Sequence, residues 1–85
     1  MDKARKFTEL MLNYVIENNW SNLDFDNVTL PEKYAVLIGL SFSVVIKTEY
    51  VKSTVPGEIC RVPINKNTTK ESLISAFLFE MGFKS

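Results

Sequence analysis

The chain carries one cysteine, Cys60, and no histidine. A catalytic thiol needs a neighbouring base to take its proton, most often an imidazole. Cys60 lies instead in "EICRVPI", a β-branched run that fits an inert structural thiol. A closed zinc site needs four nitrogen or sulfur ligands, and these are lacking. "DFDN" sets Asp24, Asp26 and Asn27 close together, as calcium loops set their oxygen ligands. The glycine and distal glutamate such a loop requires are missing at the proper spacing. The three glycines are scattered, so no phosphate-cradling loop is present. No nucleophile elbow or SxxK pattern occurs, and none of the ten carboxylates stands out as half of an acid–base pair. The chain therefore reads as non-enzymatic, with no catalytic residue, cofactor or metal expected.

Composition narrows the remaining classes. Apolar residues make up 46 % and charged residues 24 %, enough apolar surface for a packed core and against disorder. At 85 residues the expectation is one small globular domain over 1–85. Ten basic and ten acidic residues leave no net charge to draw the protein to nucleic acid or anionic lipid. A single cysteine cannot close an internal disulfide, which favours a reducing compartment. The N-terminus lacks an apolar run followed by a small-residue cleavage site, so a cytoplasmic protein is expected. Lysine outnumbers arginine, asparagine is common and alanine scarce, a bias that resembles small phage and mobile-element proteins of AT-rich genomes.

The elements that must position any functional surface follow from periodicity. "YAVLIGLSFSVVI", residues 34–46, is too short to span a bilayer, and Lys33 and Lys47 bracket it. Its even positions, continuing to Thr48 and Tyr50, are uniformly large, whereas the odd ones become small and then charged. A period of two with many β-branched residues predicts one long strand with its even face on the core, bent or bulged at Gly39. "EICRVPI", residues 58–64, predicts the next strand, an edge strand because Pro63 cannot donate a ladder bond. A three-residue loop over Val55, Pro56 and Gly57, with Gly57 left-handed, would set Thr54 opposite Glu58, Tyr50 opposite Val62 and Thr48 opposite Ile64. Residues 23–30, "LDFDNVTL", complete an expected three-stranded meander, with a break where the apolar parity changes between 25 and 28.

Helices are expected at both ends. Residues 3–19, with Asp2 as N-cap, carry a broad apolar stripe of Ala4, Phe7, Leu10, Met11, Tyr14 and Val15, predicted to face the core. Leu12, Ile16 and Trp20 form a second row at spacing four. In the C-terminal helix Thr68 and Glu71 give a capping-box pattern, and Gly82 terminates the helix so that Phe83 folds back on Leu78. Leu73, Ile74, Phe77, Leu78 and Met81 form its buried stripe. Phe79 projects almost opposite. The fold class is α+β, α-β-β-β-α, with both helices on one face of a three-stranded antiparallel sheet.

Aromatic side chains outside a core are common anchors at protein interfaces. Trp20, Phe79 and Ile16 are therefore the candidate partner-binding residues. The expected function is non-catalytic binding of another protein, as a small phage or mobile-element inhibitor or adaptor does. A homodimer through a sheet edge is a further expectation, since the long middle strand would outreach its neighbours. The element order also resembles the double-stranded RNA-binding domain over most of the chain. That resemblance implies a basic cluster opening the second helix. "NKNTTKES" supplies Lys66 and Lys70 but no dense lysine run, and Lys3, Arg5 and Lys6 add a basic start to the first helix. Nucleic-acid binding is thus the alternative reading. A structural part of a larger assembly is a third.

Overall fold

The structure, a computed structural model, describes residues 2–23, 33–47 and 54–83. Helix α1 (Asp2–Asn19) leads through a single 3-10 turn (Trp20–Asn22) toward strands β1 (Lys33–Ile38), β2 (Ser43–Lys47) and β3 (Glu58–Ile64), and helix α2 (Lys70–Glu80) closes the order. The α-β-β-β-α arrangement is the one expected from the sequence. The strands form an antiparallel sheet in the order β2-β1-β3. The predicted meander is therefore corrected: the first described strand, not the second, lies in the middle.

The predicted long strand is in fact a hairpin. The chain reverses over residues 39–42, where the Phe42 amide donates to the Gly39 carbonyl at 3.2 Å. Phe42 closes the turn at φ +51, in the left-handed region. Four turn residues shift the parity, so that Leu37 pairs with Val44 and Ala35 with Ile46. The core face is consequently odd-numbered before the turn and even-numbered after it. Val36 is also fully buried, but on the opposite face, between Val45 and Arg61 across the ladder. Bulky Leu40 and Phe42 made the turn look like strand; Gly39 was its one breaker. β1 is six residues long beside strands of five and seven, so the middle strand does not outreach both its neighbours.

β3 lies at an edge, as Pro63 predicted, but its partner is β1: Ile64 pairs with Lys33 and Val62 with Ala35. The expected partners Thr48 and Tyr50 lie outside the described residues, as does the expected strand at 23–30 apart from Leu23. The turn into β3 is tighter than the predicted three-residue loop. The Glu58 amide donates to the Val55 carbonyl at 2.9 Å across Pro56-Gly57, and Gly57 has φ +81. Proline then glycine in these places is the signature of a type II turn.

Both helices pack on the face that carries Ala35, Leu37, Val44, Val62 and Ile64. Helix α2 contributes Leu73, Ile74, Phe77 and Leu78, the stripe predicted for it, with Met81 partly buried beside them. Its cap sits one residue later than expected. Thr69 accepts from the Ser72 amide at 3.1 Å, and Ser72 Oγ accepts from the Thr69 amide at 2.9 Å. Thr68 instead closes the preceding turn by accepting from the Asn65 amide. At the far end Gly82 adopts φ +97 and the Phe83 amide donates to the Leu78 carbonyl at 2.9 Å, the expected left-handed stop.

Helix α1 begins at Asp2, inside the helix rather than as its cap. Its apolar faces are reversed relative to the prediction except at Val15, which is buried as expected. Leu12, Val15 and Ile16 are buried, whereas Phe7, Leu10 and Tyr14 are exposed. The C-terminal end of the helix is consistent with this orientation. Asn19 Oδ1 accepts from the Val44 amide at 3.4 Å, pinning the 12–15–16–19 side against β2. At the same end Lys70, the first residue of α2, bonds Glu17 at 3.1 Å. Helix α2 therefore starts where α1 ends and runs back beside it.

Candidate protein-binding surface

The reversal of α1 decides what the protein presents outward. Phe7, Leu10 and Tyr14 follow one another at spacings of three and four, so they share one line along the helix. Phe42 joins this line from the hairpin turn: its ring centroid is 5.9 Å from that of Tyr14, at a tilt of 34°. The turn thus extends a helical stripe onto the sheet. Phe7 is 71 % exposed, Tyr14 61 %, Leu10 59 % and Phe42 43 %. At about 150–250 Å² for a whole aromatic side chain, these four expose on the order of 450 Å². That is the size of the largest apolar patch on a typical monomer, about 300–600 Å², which is often functional.

The partner-binding residues expected from the sequence are dispersed. Ile16 is 1 % exposed and belongs to the core, so it is removed from any docking surface. Spacing alone gave two apolar rows on α1 without saying which one faced the sheet. Trp20 is half-buried against the core, and the Lys70 ammonium lies 5.7 Å from its ring centroid, a cation–π contact. Phe79 is exposed, as expected. It stands nine residues beyond Lys70, about 13 Å along α2 at 1.5 Å per residue. Trp20 and Phe79 therefore mark opposite ends of the helix pair. Phe7, Leu10, Tyr14 and Phe42 are the candidates in their place; the signal for the first three was in the sequence as the other apolar row, whereas Phe42 was expected on the core face of a strand.

The basic residues named for the nucleic-acid alternative also separate. Lys3 and Lys6 are exposed near the start of α1, and Lys66 is exposed in the turn before α2. Arg5 is only partly exposed and has a partner of its own. Lys70 is engaged by Glu17 and Trp20.

Two polar features at the sheet are structural in character. β3 has a bulge at Ile59, because Leu37 pairs with Cys60 while Ile38 pairs with Glu58. In a regular strand residues three apart point to opposite faces. The extra residue puts Glu58 and Arg61 on the same face, where they form a forked pair: Nε to Oε2 at 2.8 Å and Nη2 to Oε1 at 2.5 Å. Glu58 also accepts from the Val55 amide at 3.0 Å. The hydrogen bond from Arg61 holds the Glu58 carboxyl below the usual carboxylate range, aided by the Val55 amide and opposed by partial burial. Cys60 points the other way, toward the helices. Burial pushes its thiol up to about 11, with Glu80 and Glu58 adding to the effect. Such a thiol is protonated and unreactive near neutral pH.

Among the described residues no cluster of three or more histidine, cysteine, aspartate or glutamate side chains could hold a metal ion. Nor is any helix among them long and apolar enough to cross a membrane. Comparisons with protein-family models, with curated proteins and with solved structures return no match to this chain.

Proposed function

We propose that this protein is a non-catalytic binding protein that docks another protein on the outer row of α1 and acts as a small inhibitor or adaptor. The observation that carries the reading is the line of Phe7, Leu10 and Tyr14, continued by Phe42, on a helix whose opposite side already fills the core. A helix needs only one apolar face to fold onto a sheet. A second face of large side chains is explained by an interface, where aromatic anchors dominate the binding energy. The compositional bias toward lysine and asparagine supports a phage or mobile-element source, and with it a host protein as target.

The test is affinity capture from the native host cell with two baits, wild type and Leu10→Asp. A protein retained by the first and lost by the second, with the thermal midpoint of the variant unchanged, is the expected result. Equal retention by both baits removes α1 from the function. The exposure of Lys3, Lys6 and Lys66 supports nucleic-acid binding as the second reading. It requires retention on duplex RNA or DNA that falls steeply with salt. Ordered self-association beyond a dimer would point to a structural component instead.

A further inference from the structure

The outer row of α1 has a near-symmetric order. Read along the seam of spacings four, three, four and three, it runs Lys3, Phe7, Leu10, Tyr14, Glu17. A leucine stands at the centre, an aromatic on each side of it, and opposite charges at the two ends. Lys3, Leu10 and Tyr14 are exposed, as are Phe7 and Glu17. We infer that the occupant of this row is a second copy of the same chain, docked antiparallel about a two-fold axis beside Leu10. The inference rests on the reading of the row as a docking face: the second copy covers the row in the free protein, and a host protein would compete with it for the same residues.

The two-fold axis matches every position with a complement. Leu10 meets its own equivalent, Phe7 meets the other copy's Tyr14, and Lys3 meets the other copy's Glu17. Each unlike pair occurs twice, as an interface between identical surfaces requires. Parallel docking would instead stack lysine on lysine and glutamate on glutamate. The spacing is that of ridges which interlock when helices cross at about 20°.

The charge order along α1 gives an independent reason. A helix favours acidic groups at its N-terminal end and basic groups at its C-terminal end. After Asp2, α1 opens with Lys3, Arg5 and Lys6, and it has no basic residue in its last turn. Glu17 near the finish is met in part by Lys70 of α2, but nothing in the helix accounts for lysines at the start. An antiparallel neighbour does, because it brings the carbonyl end of one helix and its Glu17 to the lysines of the other. Among the described residues neither Lys3 nor Lys6 forms an ion pair, and Glu17, 70 % exposed at its side chain, meets Lys70 with much of its carboxylate still in solvent.

Size sets the strength. A standard interface buries about 800 Å² on each partner. The row and Phe42 supply roughly half of that, and Lys3, Lys6, Met11 and Glu17 form the rim. The dimer is thus one that assembles with concentration.

Analytical ultracentrifugation of the full chain, from about 10 µM to about 1 mM, spans the range for an interface of this size. Wild type is expected to pass from monomer toward dimer. Leu10→Asp should weaken association at least about tenfold, as for a central anchor. Lys3→Glu with Lys6→Glu should weaken it about three- to tenfold, as should Glu17→Lys alone. The three charge changes combined should restore it. Far-UV circular dichroism and the thermal midpoint of each variant show that the monomer remains folded. A wild type that stays monomeric throughout, or a combined variant no better than its parents, overturns the inference. The dye ANS then separates the two readings. A monomer that binds ANS at Leu10 retains the docking face and loses the second copy; a monomer that binds none loses both.

Discussion

The inner row of α1 (Leu12, Val15, Ile16) and its outer row (Phe7, Leu10, Tyr14) are built from the same kinds of residue. They differ in what they meet. The inner row is closed by β2 and α2 and is almost fully buried, whereas the outer row keeps more than half of each side chain in solvent. Apolar character therefore does not identify a core; the neighbours do. On this helix the polar signal is as informative as the apolar one. Asn19 lies on the inner side of the helix, where its Oδ1 accepts from the Val44 amide of β2.

The contrast is broken most severely by truncating the inner row. Leu12→Ala or Ile16→Ala should cost about 2–5 kcal/mol of unfolding free energy, since each leaves a cavity among fully buried neighbours. Leu10→Ala should change it by less than about 0.5 kcal/mol, the usual range for surface sites. Urea denaturation of the three variants measures the difference directly, and equal losses in both rows would abolish the distinction. Gly57→Ala comes next, at about 1–2 kcal/mol, because a side chain there must adopt φ +81. The new methyl would also lie 2.8 Å from Leu40 Cγ, though Leu40 is free to swing aside. Thr69→Ala should remove about 1 kcal/mol by uncapping α2.

Titration sharpens the comparison at the sheet. The folded state holds the Glu58 carboxyl below its unfolded value. Its contribution is therefore present above the unfolded pKa and is lost as the pH falls through the lowered folded one. Glu58→Gln should flatten this acid limb of the stability curve. Cys60 acts in the opposite direction. Its thiol titrates near 9 when unfolded and at about 11 when folded. Stability should accordingly fall as the pH rises from about 9 to 11, and Cys60→Ala should reduce that slope. A thiol reagent such as DTNB should react slowly with the folded protein near neutral pH. The smallest effect belongs to Lys70→Ala, about 0.5 kcal/mol or less from the exposed pair with Glu17.

The parts of this fold that were legible in the sequence are those with punctuation. Helix α2 carries a threonine pair at its start and Gly82 at its end, and its apolar stripe and outward Phe79 were placed correctly. β3 is bounded by Pro56-Gly57 and carries Pro63, which put it at an edge. The hairpin between β1 and β2 was hidden because its turn contains Leu40 and Phe42, large residues that extend the alternating pattern across the reversal. The same difficulty affected α1, where two apolar rows offered two equivalent faces. Ile16 was consequently assigned to the surface, and the true outer row to the core. The Glu58–Arg61 pair escaped notice because residues three apart in a strand do not meet unless a bulge intervenes.

Ile59 is therefore a spacer. Because it is supernumerary in the ladder, deleting it would join Glu58 directly to Cys60, and in the regular strand that results Glu58 and Arg61, now two apart, would still share the outer face. Loss of that one residue should therefore straighten β3 and spare the Glu58–Arg61 pair.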